Sequence, residues 1–483
     1  MMKKIIKNAT ILPCKDDRVI ENGTVILEDD RIVAVGPAAD FGQDVEGADI
    51  IDASGKYLMP GKIDMHEHLD LKYAIGSFWQ ITRQPHPNAL SLSSHWTLGR
   101  SVRSCLHSLA RGVTTVRDVG SLDSVNVIVR DLVDKGMIYG PRIYACGAAI
   151  AMTGGHGVPH SVEADGAVGV KTAVRNELKK GANVIKFMAS GGGLLADRDL
   201  QHTMQLGLDE LRAGVEEAHK AERKVAVHAH PKSAILAAIE AGADTIEHAG
   251  LADQESAEAL ARSGVYVIPT LTVTAMLDSV GAGHDLPGHA RAKEIQAVRQ
   301  KSYRQVVEAG SKLAVGTDGY EDMGIEMRLM AEWGGLSNMD ILIAATMGGA
   351  RALGAADELG SIEVGKLADI ILLEKDPRAD LESTDNPFLV FKGGMQFNPS
   401  TLLAAVPADR TIEFNLALFL GGDNGRSVEP ECEWHRAEIQ QERFPHRERS
   451  LLGRWRGTFH AVCRPRLRPS QPGRRYSGDR RPH

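Results

Sequence analysis

From about residue 110 the chain repeats one pattern: a short apolar, β-branched run, a loop, then an Ala/Glu/Lys/Leu-rich helical stretch. The apolar runs are 112–120, 141–150, 182–190, 224–230, 244–250, 265–273 and 312–319, and one more, YLMPGKIDMHEHL at 57–69, precedes them. None alternates with polar residues, so each reads as a parallel strand buried on both faces. Helices are expected at 121–135, 166–180, 208–222, 232–241, 253–263 and 290–310. In AVGVKTAVRNELKKGA, for example, Val168, Thr172, Val174 and Leu178 are spaced along one side before Gly181 stops the helix. Eight strands alternating with helices predict an α/β fold, a closed (β/α)8 TIM barrel over residues 59–357. A doubly wound open sheet is the rival, but no GxGxxG or P-loop follows the first strand.

The flanks differ. Residues 1–58 and 358–398 hold short strand-like runs with turn signals, such as GTVILEDDRIVAVG and FLVFKGGMQFN. They predict a small β-sandwich domain built from both chain ends. Lys392 is the last lysine, and the chain then becomes rich in Arg, Pro, Ser and Gly. Such a segment cannot bury enough apolar surface to offset its ordering entropy, so 399–483 reads as a disordered extension.

Composition narrows the class. Of 483 residues, 43% are hydrophobic and 25% charged, which excludes a mainly disordered chain. No apolar stretch approaches the roughly 20 residues a bilayer span needs, so no membrane partner is expected. The apolar run at the N-terminus is broken by Lys7 and Asn8 and lacks a cleavage site, which points to the cytoplasm. Cys14, Cys105, Cys146, Cys432 and Cys463 form no CxxC pair, so neither a disulfide framework nor a thiolate metal site is expected. A net charge of −7 and an aromatic content of 5% argue against a nucleic-acid partner.

Candidate chemistry collects at the C-terminal strand ends, which converge on one mouth of a barrel. Those ends carry His66, His68, Lys186, His228, His248 and Asp318. His66 and His68 are two apart on a strand, so both imidazoles face the same side and suit a divalent ion. Lys186 lies in the apolar run VIKFMAS, where a free ammonium would be costly. It is either ion-paired, with Asp318 for instance, or converted by carbon dioxide to an anionic carbamate, which needs the neutral amine that burial favours. His230 shares the facing of His228, but Pro231 bends the chain after it, so it reads as a substrate-pocket residue and not a ligand. His156, on the Gly-rich loop TGGHG, reads as a substrate contact, and Asp118 as a structural partner of neighbouring loops.

The motifs MPGKIDMHEHL, VIKFMASGGG, VAVHAH, TIEHAG and VGTDG, in order and one per expected strand, resemble the amidohydrolase superfamily. With TGGHG they resemble its prolidase-like group, over roughly residues 1–398. That resemblance implies two divalent metal ions, with Zn preferred, bound by His66, His68, Lys186, His228, His248 and Asp318. It implies a carboxylated Lys186 as the bridge and Asp318 as catalytic acid/base. The implied reaction is cleavage of an amide-type C–N bond by metal-activated water. The implied substrate is a small-molecule N-acyl amino acid, dipeptide or xenobiotic amide, carbamate or urea. A homo-oligomer is expected. Pro231 departs from the glycine usual after HAH in that group. A cyclic-amide hydrolase or deaminase on the same fold, and a non-catalytic barrel, are the alternatives; Lys186 disfavours the mononuclear types. Specificity is expected from loops 72–95 and 272–290, where Phe78 and Trp79, with His86 and Trp96 nearby, suggest an apolar lid.

Overall fold

The computed structural model describes residues 3–41, 47–71, 94–157, 160–192, 200–275, 287–319 and 322–406. Five short strands open the chain: β1 (Lys3–Ile11), β2 (Ile20–Glu28), β3 (Arg31–Pro37), β4 (Asp49–Asp52) and β5 (Tyr57–Pro60). There follow β6 (Lys62–Glu67), β7 (Val113–Asp118), β8 (Arg142–Ala145), β9 (Ala149–Ala151), β10 (Ser161–Glu163), β11 (Val184–Met188) and β12 (Lys224–Pro231). Next come β13 (Thr245–Leu251), β14 (Tyr266–Ile268) and β15 (Lys312–Leu313), and β16 (Ile370–Leu373), β17 (Leu389–Lys392) and β18 (Met395–Phe397) close the series.

Strands β6, β7, β8, β11, β12, β13, β14 and β15 occupy the eight expected positions and pair in parallel as β6-β7-β8 and β11-β12-β13-β14-β15. Individual hydrogen bonds link the two runs into a TIM barrel. Asn183 N donates to Ala145 O (2.9 Å), and Ala145 N donates to Asn183 Oδ1 (2.6 Å). On the other side Met65 N donates to Val315 O (2.9 Å) and Asp318 N to His66 O (2.6 Å), joining the eighth strand to the first. Every residue of β6, β7 and β11 is buried, as their unbroken apolar character requires. The 141–150 run, expected as one strand, divides into β8 and β9. Between them Ala148 N donates to the buried carboxylate of Glu177 (3.1 Å) instead of to a neighbouring strand, and β9 pairs with β10 and β11.

The expected eighth strand, 312–319, is a ladder for only two residues, because the chain must run close beside β6. A Cβ on Gly316 would lie 2.5 Å from Ile268 Cγ2 and 2.6 Å from His66 Cβ. Gly316→Ala is therefore expected to cost about 1–3 kcal/mol through overpacking, read by urea denaturation. Wild-type stability in that variant would mean the strands have room that this spacing denies.

The longer helices among the described residues are α1 (Ser94–Ala110), α2 (Val125–Asp134), α3 (Gly166–Lys180), α4 (Leu208–Lys220), α5 (Lys232–Ala241), α6 (Gln254–Ser263), α7 (Pro287–Glu308) and α8 (Met323–Gly334). Helices α3 and α5 span the expected residues, whereas α1 and α8 had no counterpart among the helices expected from the sequence. The buried face of α3 is Val170, Ala173, Val174 and Glu177, an i, i+3, i+4, i+7 set. Val168, expected on that face, is 81% exposed. It stands two residues from Val170, about 200° around the helix.

The chain ends meet in one hydrogen-bonded network of order β18-β17-β16-β5-β1-β2-β3, with β4 also on β1. The small domain expected from both chain ends is thus present, with its strands joined through β1 in one hydrogen-bonded network. Strand β1 makes the continuity by pairing with β4 at Lys4–Lys7 and with β5 at Thr10–Ile11, its register with β2 shifting around Ala9. Ile6, Ile11, Val25, Leu27, Ile32, Leu58, Ile370 and Phe391 are among the buried residues that form its own core. The extension expected from 399 also needs correcting. Pro399–Ala404 form a short helix capped by the Asn398 side chain, and Leu402 packs into the main hydrophobic core. Residues 407–483, where the disordered extension was expected, lie outside the described residues.

Candidate active site

Strand β6 delivers His66 and His68 to the barrel mouth on one side, as a two-residue spacing requires. Asp318 Oδ1 lies 3.3 Å from the Nε2 of each. Each ring is oriented from behind: His68 Nδ1 donates to Gly120 O (2.8 Å), and His66 Nδ1 lies 2.7 Å from Glu247 Oε2. Such partners set which nitrogen faces the cavity. Burial opposes protonation of His68, yet Asp318 outweighs it and raises the imidazole to about 9. Burial would raise the Asp318 carboxyl, but His66 and His68 hold it far below the usual carboxylate range. The locus favours positive charge.

Strands β11, β12 and β13 bring the remaining groups. The His228 ring centroid lies 4.4 Å from those of His156 and His248, and His230 stacks on His248 at 4.9 Å and 20°. His248 Nδ1 is 2.6 Å from Thr270 Oγ1. Burial, reinforced by neighbouring cations, pushes the pKa values of His228, His230 and His248 well below the ordinary imidazole value. The rings are therefore neutral, the form that ligates a metal. Lys186 is 1% exposed, and burial lowers it to about 8 against the pull of Glu247 and Asp318. Among the described residues no carboxylate lies within 4 Å of its Nζ, so the ion pair with Asp318 considered for it is not formed.

Among the described residues two groups could hold an ion, His228–His230–His248 and His66–His248–Asp318, each with its ligand atoms within 4.8 Å of one another. His248 belongs to both. The first group brings in His230, which was expected on the pocket wall and not among the ligands, and its Nδ1 has no hydrogen-bond partner among the described residues. His248 (φ 72°) and Asp318 (φ 59°) both adopt left-handed backbone, uncommon for residues with side chains and concentrated at functional sites.

All eight singled-out residues, His66, His68, His156, Lys186, His228, His230, His248 and Asp318, line one cavity. Leu71, Met188 and Val273 add apolar wall, while His160 and Arg299 add polar groups. Asp118 is beside the cavity, accepting hydrogen bonds from Leu69 N (3.0 Å), Gly120 N (3.2 Å) and Asn126 Nδ2 (2.7 Å), the loop-holding role expected of it. The lid residues Phe78, Trp79 and His86 lie outside the described residues, as does the Trp96 side chain.

Three groups beside or lining the cavity were not singled out from the sequence: Glu247, the Asp70–His160 pair and Arg299. Glu247 is fully buried, bonded to His66 on one oxygen and to Arg117 Nη2 (2.7 Å) on the other. Burial would raise it, but Arg117 and His66 hold it at about 2. Its signal was available, because an acid inside the apolar run TIEHAG needs a partner for the same reason as Lys186. Asp70 holds His160 at 3.0 Å. Arg299 enters from α7, a helix whose sequence carried no strand-end signal.

A barrel mouth lined by imidazoles, three of them held neutral, a carboxylate and a buried lysine defines a metal-binding hydrolase site. Residues 57–396 match the amidohydrolase family, and the chain belongs to that family. It is 30% identical to the ochratoxinase of Aspergillus niger over 427 residues, 82% of this chain and 87% of that protein. The crystal structure of A. niger ochratoxinase superposes with a TM-score of 0.72 at 27% identity, covering 82% of this chain and 96% of that one. A Xaa-Pro dipeptidase with methionine bound in its active site gives a TM-score of 0.73 at 28% identity, covering 82% and 100%. These relatives put the chain in the prolidase-like group, as a metal-dependent hydrolase of amide-type C–N bonds. Among the described residues no helix is long and apolar enough to cross a membrane.

Proposed function

We propose that His66, His68, Lys186, His228, His248 and Asp318 hold two divalent ions, Zn in the cell, and that the enzyme cleaves the amide of an N-acyl amino acid, a dipeptide or a related xenobiotic amide. The observation that carries this reading is the sharing of His248 between two ligand-capable groups, with the buried Lys186 on the same cavity. Imidazole and carboxylate donors suit Zn, with Mn and Co as working substitutes. Divalent ions at this locus supply Lewis acidity toward water and toward the amide carbonyl.

Lys186, converted to a carbamate, would serve as an anionic ligand to them. Its neutral amine forms an N–C bond with carbon dioxide, a C=O electron pair moves to oxygen, and the displaced N–H proton leaves to solvent. A cation thereby becomes an anion in a site that gathers positive charge. Asp318 takes the proton of the attacking water and gives it to the leaving nitrogen, which departs as an amine. His156 and His230, on the cavity wall, contact the substrate. The buried free thiols Cys14, Cys105 and Cys146 suit the reducing cytoplasm as its location.

Expression with ample Zn is expected to yield about two metals per chain, and a chelator is expected to abolish hydrolysis reversibly. A screen of N-acyl amino acids, Xaa-Pro dipeptides, phenylureas and ochratoxin-like amides then identifies the substrate. A metal-free protein, or turnover of cyclic amides alone, would overturn the reading.

A further inference from the structure

Two neighbouring strands share an uncommon backbone where they meet the cavity. His248 (φ 72°) and Ala249 (φ 49°) in β13, and Thr270 (φ 50°) just after β14, all lie in the left-handed region. For a β-branched residue such as Thr270 that conformation is an outlier, and it persists only where the surroundings enforce it. The helical turn 271–275 that follows supplies the enforcement. Leu271 N (2.8 Å) and Thr272 N (2.7 Å) both donate to the carboxylate of Glu326, which α8 brings in fully buried. Thr270 is itself 1% exposed, and its Oγ1 lies 2.6 Å from His248 Nδ1. The held backbone thus sets a hydroxyl against one imidazole.

That imidazole is the one common to both ligand-capable groups. His66, His228 and His230 pack around it at centroid distances of 4.9, 4.4 and 4.9 Å. Packing alone cannot choose its orientation, because a flipped imidazole fills nearly the same space, so a hydrogen bond has to choose. His66 and His68 face groups that only accept, the Glu247 carboxylate and the Gly120 carbonyl, whereas His248 faces a hydroxyl that can accept or donate. Resting on the metal-hydrolase reading, we propose that Thr270 is a positioning residue that accepts the Nδ1–H of His248 and so fixes Nε2 as its ligating nitrogen. The opposite polarity would leave the ring proton on Nε2, the nitrogen that must give its lone pair to an ion. Because one ring serves both groups, removing the Thr270 hydroxyl weakens both ions together.

The test compares the wild type with T270V, which keeps the branched shape without the hydroxyl, and T270S, which keeps the hydroxyl. All are used as full chains, with melting temperatures confirming folding. Histidine-selective 15N labelling reads the ring tautomer before metal is added, the His248 signal being assigned by its loss in H248N. Wild type and T270S are expected to show the Nδ1–H form, and T270V a mixture of the two forms. Titration with Zn in metal buffers is then expected to show both ions held about 10–100-fold more weakly by T270V, with T270S near the wild type. A wild type that shows the Nδ1–H form yet binds no Zn sinks the hydrolase reading, and loss of that form in T270V still upholds Thr270. An Nε2–H ring in the wild type, or Zn bound equally by the wild type and folded T270V, overturns the proposal and leaves the hydrolase reading standing.

Discussion

Asp318→Asn is expected to lower turnover by roughly 10³-fold or more while leaving metal content near that of the wild type. The carboxylate sits 3.3 Å from two imidazole nitrogens and is kept ionised by them. In the proposed reaction it takes the proton of the attacking water, and general-base removal costs about 10²–10⁴-fold. The amide oxygen of asparagine can still act as a neutral donor to a cation, but it cannot take the proton. The left-handed backbone at this position also suits asparagine, which tolerates that region better than most residues. Steady-state kinetics with metal analysis on the same preparation decides the matter. Turnover within tenfold of wild type would remove Asp318 from the reaction.

Glu247→Gln is expected to destabilise the fold by about 3–5 kcal/mol, the cost of removing one partner from a buried ion pair. Arg117 is 1% exposed and donates to Glu247 Oε1, Thr245 Oγ1 (2.8 Å) and Met65 O (2.7 Å). Without the carboxylate its charge stays buried among neutral acceptors. The same change presents an amide to His66 Nδ1 in place of an anion, so metal affinity is expected to fall by about 10–100-fold, as for other partners that orient a ligand. Urea denaturation and a metal-buffer titration read the two effects separately. A loss under 1 kcal/mol would mean that water or another group already neutralises Arg117.

Much of the site was legible in the amino-acid sequence, and for a local reason. A strand buried on both faces has few grounds for carrying His66, His68, Lys186, His228 or His248 unless they do chemistry, so each polar residue in an apolar run stood out. Glu247 carried the same signal but sits beside the more conspicuous His248. Arg299 could not be read that way. It lies in a helix of mixed polarity, where one more arginine is unremarkable, and only the packing of α7 behind Gly250 turns it toward the cavity. The buried face of α3 shows the same limit: both Val168 and Val170 are apolar, and which one faces inward depends on the register in which the helix docks.

The order of elements, the parallel barrel and the gathering of polar strand-end residues at one mouth were determined by the primary structure alone, because burial on both faces imposes a pattern that neighbouring residues cannot conceal. Tertiary structure decided the rest. It set the single sheet that unites the two chain ends through β1, the division of the third strand by Glu177, the approach of Gly316 to His66, and the company of Glu247 and Arg299. Each of these depends on which distant groups meet across a packed interface, and no periodicity along the chain encodes the partner on the far side.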